Sequence, residues 1–151
     1  MQVRVTLLAT MSAGCILVGA LSTPAFARPQ VQLKNSATGK CLDSNGAGKV
    51  YALGCNGGNN QRWTAASFTT AGAVLKNVAT GKCLDSNGAG KAYMLGCNGG
   101  NNQRWQVTES GAGNMAFKNV ATGKCLDSNG AGKVYALGCN GGNNQRWGGP
   151  Q

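Results

Sequence analysis

The chain has 151 residues, a formal charge of +10, seven cysteines and no histidine. Four acidic residues in all, and no imidazole, exclude His-based triads and a histidine general base and leave little for a paired-carboxylate hydrolase. Two cysteines per repeat without a histidine also fall short of the four clustered ligands a structural zinc needs, so no metal and no cofactor is expected.

Residues 1–27 read as an export signal. Arg4 is the only early charge, Leu7 to Leu21 is an almost unbroken apolar run, and Ala25-Phe26-Ala27 supplies a small-x-small cleavage site. The rivals are a membrane anchor, for which the run is slightly short, and a lipoprotein site at Cys15. Cleavage after Ala27 predicts a secreted, extracellular chain, residues 28–151. Thirteen Lys and Arg then face Asp43, Asp85, Asp127 and Glu109, giving +9. That length is one domain's worth.

From Lys34 to Trp63 the sequence is KNSATGKCLDSNGAGKVYALGCNGGNNQRW. The block returns at 76–105 and 118–147, an offset of 42 residues each time. Blocks one and three differ only at Ser36/Val120, and block two differs from block three only at Ala92/Val134 and Met94/Ala136. Repeats at this period signal a repeat architecture.

Within the first copy, Val31-Gln32-Leu33 alternates as a half-buried strand. Thr38-Gly39 turns the chain into a second short strand beginning at Cys41-Leu42. Residues 43–48 are turn formers throughout. Residues 49–53 resume as a strand, with Val50 and Ala52 on the core face and Tyr51 and Leu53 on the other. A Gly- and Asn-rich loop follows, and Gln61-Arg62-Trp63-Thr64 starts the fourth strand. In the connectors, Ser67-Phe68-Thr69 and Met115-Ala116-Phe117 are expected to open the next repeat, and residues 148–151 to form a loose tail. A solenoid would need polar caps and a propeller more blades. Three repeats (31–72, 73–114 and 115–151) of about four strands each predict an all-β, pseudo-threefold closed fold, the β-trefoil.

Six cysteines remain after cleavage, two per block. An exported chain with an even, periodic set reads as a disulfide framework. Six cysteines allow fifteen pairings, of which the repeat favours Cys41-Cys55, Cys83-Cys97 and Cys125-Cys139.

The block lacks the means for catalysis and holds the means for binding. The run from Asp43 misses the later ligands of a calcium loop, and Gly46-Ala47-Gly48-Lys49 lacks the first glycine and the Ser/Thr of a phosphate loop. Asp43 offers two acceptors, Asn56 and Asn60 offer donors and acceptors, Tyr51 a ring and hydroxyl, and Leu53 an apolar edge. A sugar presents hydroxyls at its rim and C–H groups on its faces, and this set matches both. The competing reading is that Asp43 caps its own turn. Trp63, Trp105 and Trp147 are expected in the core, with Gln61, Gln103 and Gln145 holding backbone.

Cys-Leu-Asp followed by Gln-x-Trp resembles the ricin-type β-trefoil lectins, and LDSN…VYxL…NGGN-x-QRW is most similar to their actinohivin-like actinomycete branch, which takes high-mannose glycans. The resemblance covers all three blocks and implies one sugar pocket per lobe: Asp43, Tyr51, Leu53, Asn56 and Asn60; Asp85, Tyr93, Leu95, Asn98 and Asn102; Asp127, Tyr135, Leu137, Asn140 and Asn144. The departure lies at Asn60, Asn102 and Asn144, where actinohivin-like repeats carry Tyr. Galactose-binding ricin relatives have Asn there but an aromatic ring where Leu53 sits.

The expected function is that of a multivalent lectin for mannose-type or related glycans, not an enzyme. Its expected partners are glycans or polysaccharides, with the protein monomeric and no membrane span after cleavage. The alternative is salt-sensitive binding of anionic polymers, such as nucleic acid or acidic polysaccharide, through Lys49, Lys91 and Lys133. Nucleic acid is disfavoured because the lysines are spread rather than clustered.

Overall fold

The computed structural model describes residues 28–149; the expected export segment 1–27 and residues 150 and 151 lie outside them, as do the side chains of residues 66–69. The first lobe runs β1 (Gln30–Val31), β2 (Lys34–Asn35), β3 (Cys41–Ser44), β4 (Val50–Leu53) and β5 (Trp63–Thr69). The second holds β6 (Gly72–Asn77), β7 (Cys83–Ser86), β8 (Ala92–Leu95) and β9 (Trp105–Glu109). The third holds β10 (Asn114–Asn119), β11 (Cys125–Ser128), β12 (Val134–Leu137) and β13 (Trp147–Gly148). The expected plan of four strands per lobe therefore holds, with one strand broken in two. The break between β1 and β2 falls where the Leu33 carbonyl turns aside to accept Leu42 N–H at 2.8 Å.

Because β1 and β2 are pieces of one strand, the hydrogen-bonded path β1-β5-β6-β9-β10-β13-β2 is a closed, six-stranded barrel. Closure removes the open edges that a flat sheet of short strands would expose. Each lobe hangs a hairpin on this barrel: β3–β4, β7–β8 and β11–β12. The three tryptophans set the common register. Trp63 pairs with Val31 and Asn77, Trp105 with Ala73 and Asn119, and Trp147 with Met115 and Asn35. All three rings are fully buried. Each donates its indole N–H to the carbonyl of the leucine before the aspartate (Leu42, Leu84 or Leu126) at 3.0–3.1 Å. Beside the tryptophans the core is mainly aliphatic, with Leu33, Leu42, Leu75, Leu84 and Leu126 joined by the ring of Phe117.

The hairpins are tied into a ring. The carbonyl of Gly48 accepts Met94 N–H, that of Gly90 accepts Ala136 N–H, and that of Gly132 accepts Ala52 N–H, at 2.8–2.9 Å. Lysines repeat the tie: Lys82 Nζ donates to Gly46 O, Lys124 Nζ to Gly88 O and Lys40 Nζ to Gly130 O, at 2.7–2.9 Å. Each hairpin tip is thus held by the next lobe, and the third is held by the first. The barrel seam carries a parallel set of ties, in which buried Asn35, Asn77 and Asn119 donate to the carbonyls of Asn144, Asn60 and Asn102 at 2.8 Å.

The disulfides are Cys41–Cys55, Cys83–Cys97 and Cys125–Cys139, the pairing that the repeat favours. A closed loop of this length stabilises the fold by about 3 kcal/mol in the chain-entropy model. Each pins the Gly-rich loop after β4, β8 or β12 onto the strand that starts the hairpin.

Four local expectations are corrected. Asp43 and Ser44 belong to β3 rather than to the turn, because both pair across to β4. Gln61 ends a short 3-10 turn, Asn59–Gln61, and the strand starts only at Trp63, because its side chain is needed to close the loop. Residues 67–69 prolong β5 instead of opening the second lobe; β5 keeps pairing with β6 past an irregularity between Ala65 and Phe68. Gly148 is buried in β13, paired with Lys34, and is no part of a loose tail.

Candidate functional site

The β3–β4 register places Asp43 opposite Tyr51 and Cys41 opposite Leu53. Directly opposed residues of an antiparallel pair project to the same face. So Asp43, Tyr51 and Leu53 share one surface, and Val50 and Ala52, both buried, point the other way into the core. The same register is present in the other lobes, with Asp85 opposite Tyr93 and Asp127 opposite Tyr135.

The aspartates are more enclosed than an open cradle would have them, at 4%, 3% and 3% exposed. They are not spent on their own turns. That work falls to Asn45, whose carbonyl accepts Gly48 N–H and whose Oδ1 accepts Lys49 N–H, each at 3.1 Å. Asp43 instead accepts from Gln61 Nε2 at 3.0 Å and stands directly across the strand pair from Tyr51. Asp85 and Asp127 stand in the same way across from Tyr93 and Tyr135. Asp85 Oδ1 is buried without a protein donor. An unsatisfied buried acceptor of this kind costs about 1–3 kcal/mol until something donates to it.

The tyrosines respond to this neighbourhood. Burial pushes each phenol above the ordinary 10.0, and the negative charge and hydrogen bond of Asp43, Asp85 or Asp127 add to the rise. The neutral phenol is thus the form the fold favours. Its contribution to stability is complete below the ordinary tyrosine value and is lost as pH climbs through the raised one. Phenolate absorbance should accordingly titrate at higher pH in the folded protein than in denaturant. Changing the three aspartates to asparagine should draw the folded midpoint back down.

Gln61 organises the loop behind the aspartate. Its Oε1 accepts Asn56 N–H at 2.8 Å, and its Nε2 donates both to Gly54 O and to Asp43, each at 3.0 Å. Gln103 and Gln145 make the same backbone bonds to Asn98, Gly96, Asn140 and Gly138. The role expected from sequence, holding backbone, is what these side chains do; the link from Gln61 to the carboxylate is additional.

The asparagines are partly committed. Asn56, Asn98 and Asn140 each use Oδ1 to accept a backbone N–H two residues on, at 2.8 Å, which leaves Nδ2. Asn60, Asn102 and Asn144 each donate Nδ2 to the carbonyl of Ser44, Ser86 or Ser128 at 2.6–2.7 Å, which leaves Oδ1. Each therefore retains one side-chain polar atom, held at a fixed position.

Leu53, Leu95 and Leu137 stand out on the surface, 48%, 44% and 47% exposed, and they are the exposed large hydrophobics among the described residues. An isolated exposed leucine needs no explanation. Three at the same place beside a tyrosine and an aspartate form a small apolar wall in every lobe. A cavity of about 560 Å³ is lined by Val31, Leu33, Leu75, Val107, Met115 and Phe117, and none of the three aspartates borders it.

Residues 29–147 match the ricin-type β-trefoil lectin domain. The chain belongs to the ricin-type β-trefoil lectin family. Solved relatives of this lectin domain agree on the fold. A designed threefold-symmetric protein, ThreeFoil, is 28% identical, with a TM-score of 0.74 over 81% of this chain and 98% of that one. The exo-β-1,3-galactanase 1,3Gal43A from Clostridium thermocellum is 26% identical, with a TM-score of 0.72; the match spans 80% of this lectin chain but 29% of the enzyme. SeviL, solved bound to asialo-GM1 saccharide, is 18% identical with a TM-score of 0.69, over 83% of this chain and 98% of that one, a likeness of fold. The lectin domain is a carbohydrate-binding one. Among the described residues no helix is long and apolar enough to cross a membrane.

Proposed function

We propose that this chain is a secreted, non-enzymatic lectin with three sugar pockets, one per lobe, for mannose-type or related glycans. The observation that carries the reading is the threefold recurrence of one row: a nearly buried aspartate, a half-buried tyrosine and an exposed leucine on a single face. The carboxylate takes vicinal hydroxyls in charge-assisted bonds, the asparagine atoms left over complete the rim, and the leucine covers a sugar face. The galactanase and SeviL likenesses support a glycan as ligand. The apolar run and small-x-small site within residues 1–27, read as an export signal, and the three disulfides support export.

Three weak pockets on separate lobes gain by avidity. A branched or repeating glycan that spans them would bind on the order of 10²–10⁴ times more tightly than one pocket's ligand. Lys40, Lys82 and Lys124 hold carbonyls of neighbouring hairpins, so part of the basic charge is structural. A glycan array read at low and at high salt tests the reading. Binding of neutral glycans should persist at high salt. Loss of all binding at high salt would instead mark an electrostatic binder of anionic polymers.

A further inference from the structure

The hairpin ring brings a lysine from one lobe onto the sugar face of another. Beyond the β3–β4 pair, Tyr51 makes an antiparallel bridge to Lys133 of the third lobe, and Tyr135 makes one to Lys91 of the second. In the second lobe the hydrogen bond from Met94 N–H to Gly48 O repeats the register of Ala52 to Gly132 and Ala136 to Gly90, and sets Lys49 opposite Tyr93.

Opposed residues in antiparallel register share a face, so each site is a three-membered row. The rows are Asp43–Tyr51–Lys133, Asp85–Tyr93–Lys49 and Asp127–Tyr135–Lys91. Strands lie roughly 4.8 Å apart, which separates the carboxylate from the lysine by two strand spacings with the phenol between. All three lysines are exposed. Lys133 and Lys49 have their backbone N–H groups fixed by Asn129 and Asn45, and Lys91 by Asn87. Among the described residues no acceptor engages their ammonium groups, in contrast to Lys40, Lys82 and Lys124. The site is therefore polarised, an acceptor end built for hydroxyls and a cationic end across the tyrosine.

We propose that each pocket selects an acidic saccharide residue, its hydroxyls on the aspartate and its carboxylate or sulfate on the lysine that the neighbouring lobe supplies. The proposal rests on the lectin reading above and names its ligand class. Recognition is by one lysine per pocket at a defined place, which differs from attraction of a polyanion to a basic surface. The specificity element of each site belongs to a different lobe from its floor, so a single excised repeat would lack it.

Titration calorimetry with monovalent methyl glycosides tests this: a neutral hexoside, the matching hexuronide and the matching sulfated hexoside. The intact protein should bind an acidic member roughly fivefold more tightly than the neutral one at low salt, the size expected of one partly exposed ion pair. The hexuronide and sulfate arms show which acid fits. In K49Q/K91Q/K133Q the acidic-to-neutral ratio should fall to about one, and the corresponding arginine variant should restore it. Equal affinities in the intact protein, or a preference that survives the glutamine changes, would overturn the proposal while leaving the lectin reading in place. Acidic glycosides that still bind when all three aspartates are alanine would overturn it in favour of diffuse surface charge. If no glycoside binds at all, both readings fall together.

Discussion

Replacing Asp43, Asp85 and Asp127 together with alanine should abolish glycan binding in a protein that still folds. Each carboxylate is the charged acceptor of its site, and a hydrogen bond to a charged group contributes about 1.5–3 kcal/mol. Loss of one such bond per pocket weakens a single-site affinity by about 10- to 150-fold. Loss at all three also removes avidity, so the combined effect should exceed the range of an ordinary binding assay. Folding should survive because the aspartates are not what holds the loops. Gln61 keeps its bonds to Asn56 and Gly54, and the turn after β3 is closed by Asn45. The tyrosine hydroxyl, half-buried, can turn to water. The expected stability cost is about 1 kcal/mol per lobe. Thermal unfolding and a glycan array on the same preparation check both halves. A folded triple variant that keeps the glycan profile of the parent would remove the aspartates from the site.

The second expectation concerns a single methyl group. Gly132→Ala should destabilise the protein severely, whereas Gly130→Ala, two residues away in the same loop, should be close to neutral. Gly132 sits at φ +82°, and a Cβ there would overlap the Ala52 carbonyl of the first lobe; at Gly130 nothing lies within 4 Å. The backbone conformation alone costs a non-glycine residue roughly 1–2 kcal/mol, and forced overpacking adds about 1–3 kcal/mol. The obstacle is backbone and cannot rotate away. Relief requires the third hairpin to lift from the first lobe, breaking the Ala52–Gly132 hydrogen bond that closes the ring. A loss of about 2–5 kcal/mol out of the 5–15 typical of a domain is decisive. Chemical denaturation of the two variants side by side measures it. Near-equal midpoints would mean that the ring closure carries little of the fold's stability.

The residues legible in the sequence were those whose neighbours in space are also neighbours in the repeat. Alternation across Val50-Tyr51-Ala52-Leu53 set which side chains face the core, and the presence of two cysteines in every repeat favoured closing each pair within its own block. The leucine and tyrosine were legible from the strand alternation, and the aspartate from its acceptor chemistry and its return in every copy; that all three share one face came only with the β3–β4 register. Residues that recur for structural reasons were harder to separate. With three near-identical copies every position is equally repeated, so repetition could not tell Asn45, which closes a turn, from Asp43, which faces the site. Nor could it show that Asn56 and Asn60 each spend one side-chain atom on backbone.

By itself the sequence determined the repeat, the number of lobes and the core and outer faces of the strand at residues 50–53, and it favoured one disulfide pairing, because a two-residue strand period and a 42-residue offset are local properties of the chain. Only the tertiary structure decided which lobe grips which, that the aspartates lie nearly buried opposite their tyrosines, and that Lys133, Lys49 and Lys91 stand beside the tyrosines of lobes other than their own. Those facts arise when the barrel closes. Closure brings together backbone segments more than forty residues apart, and no local pattern records which carbonyl will meet which amide.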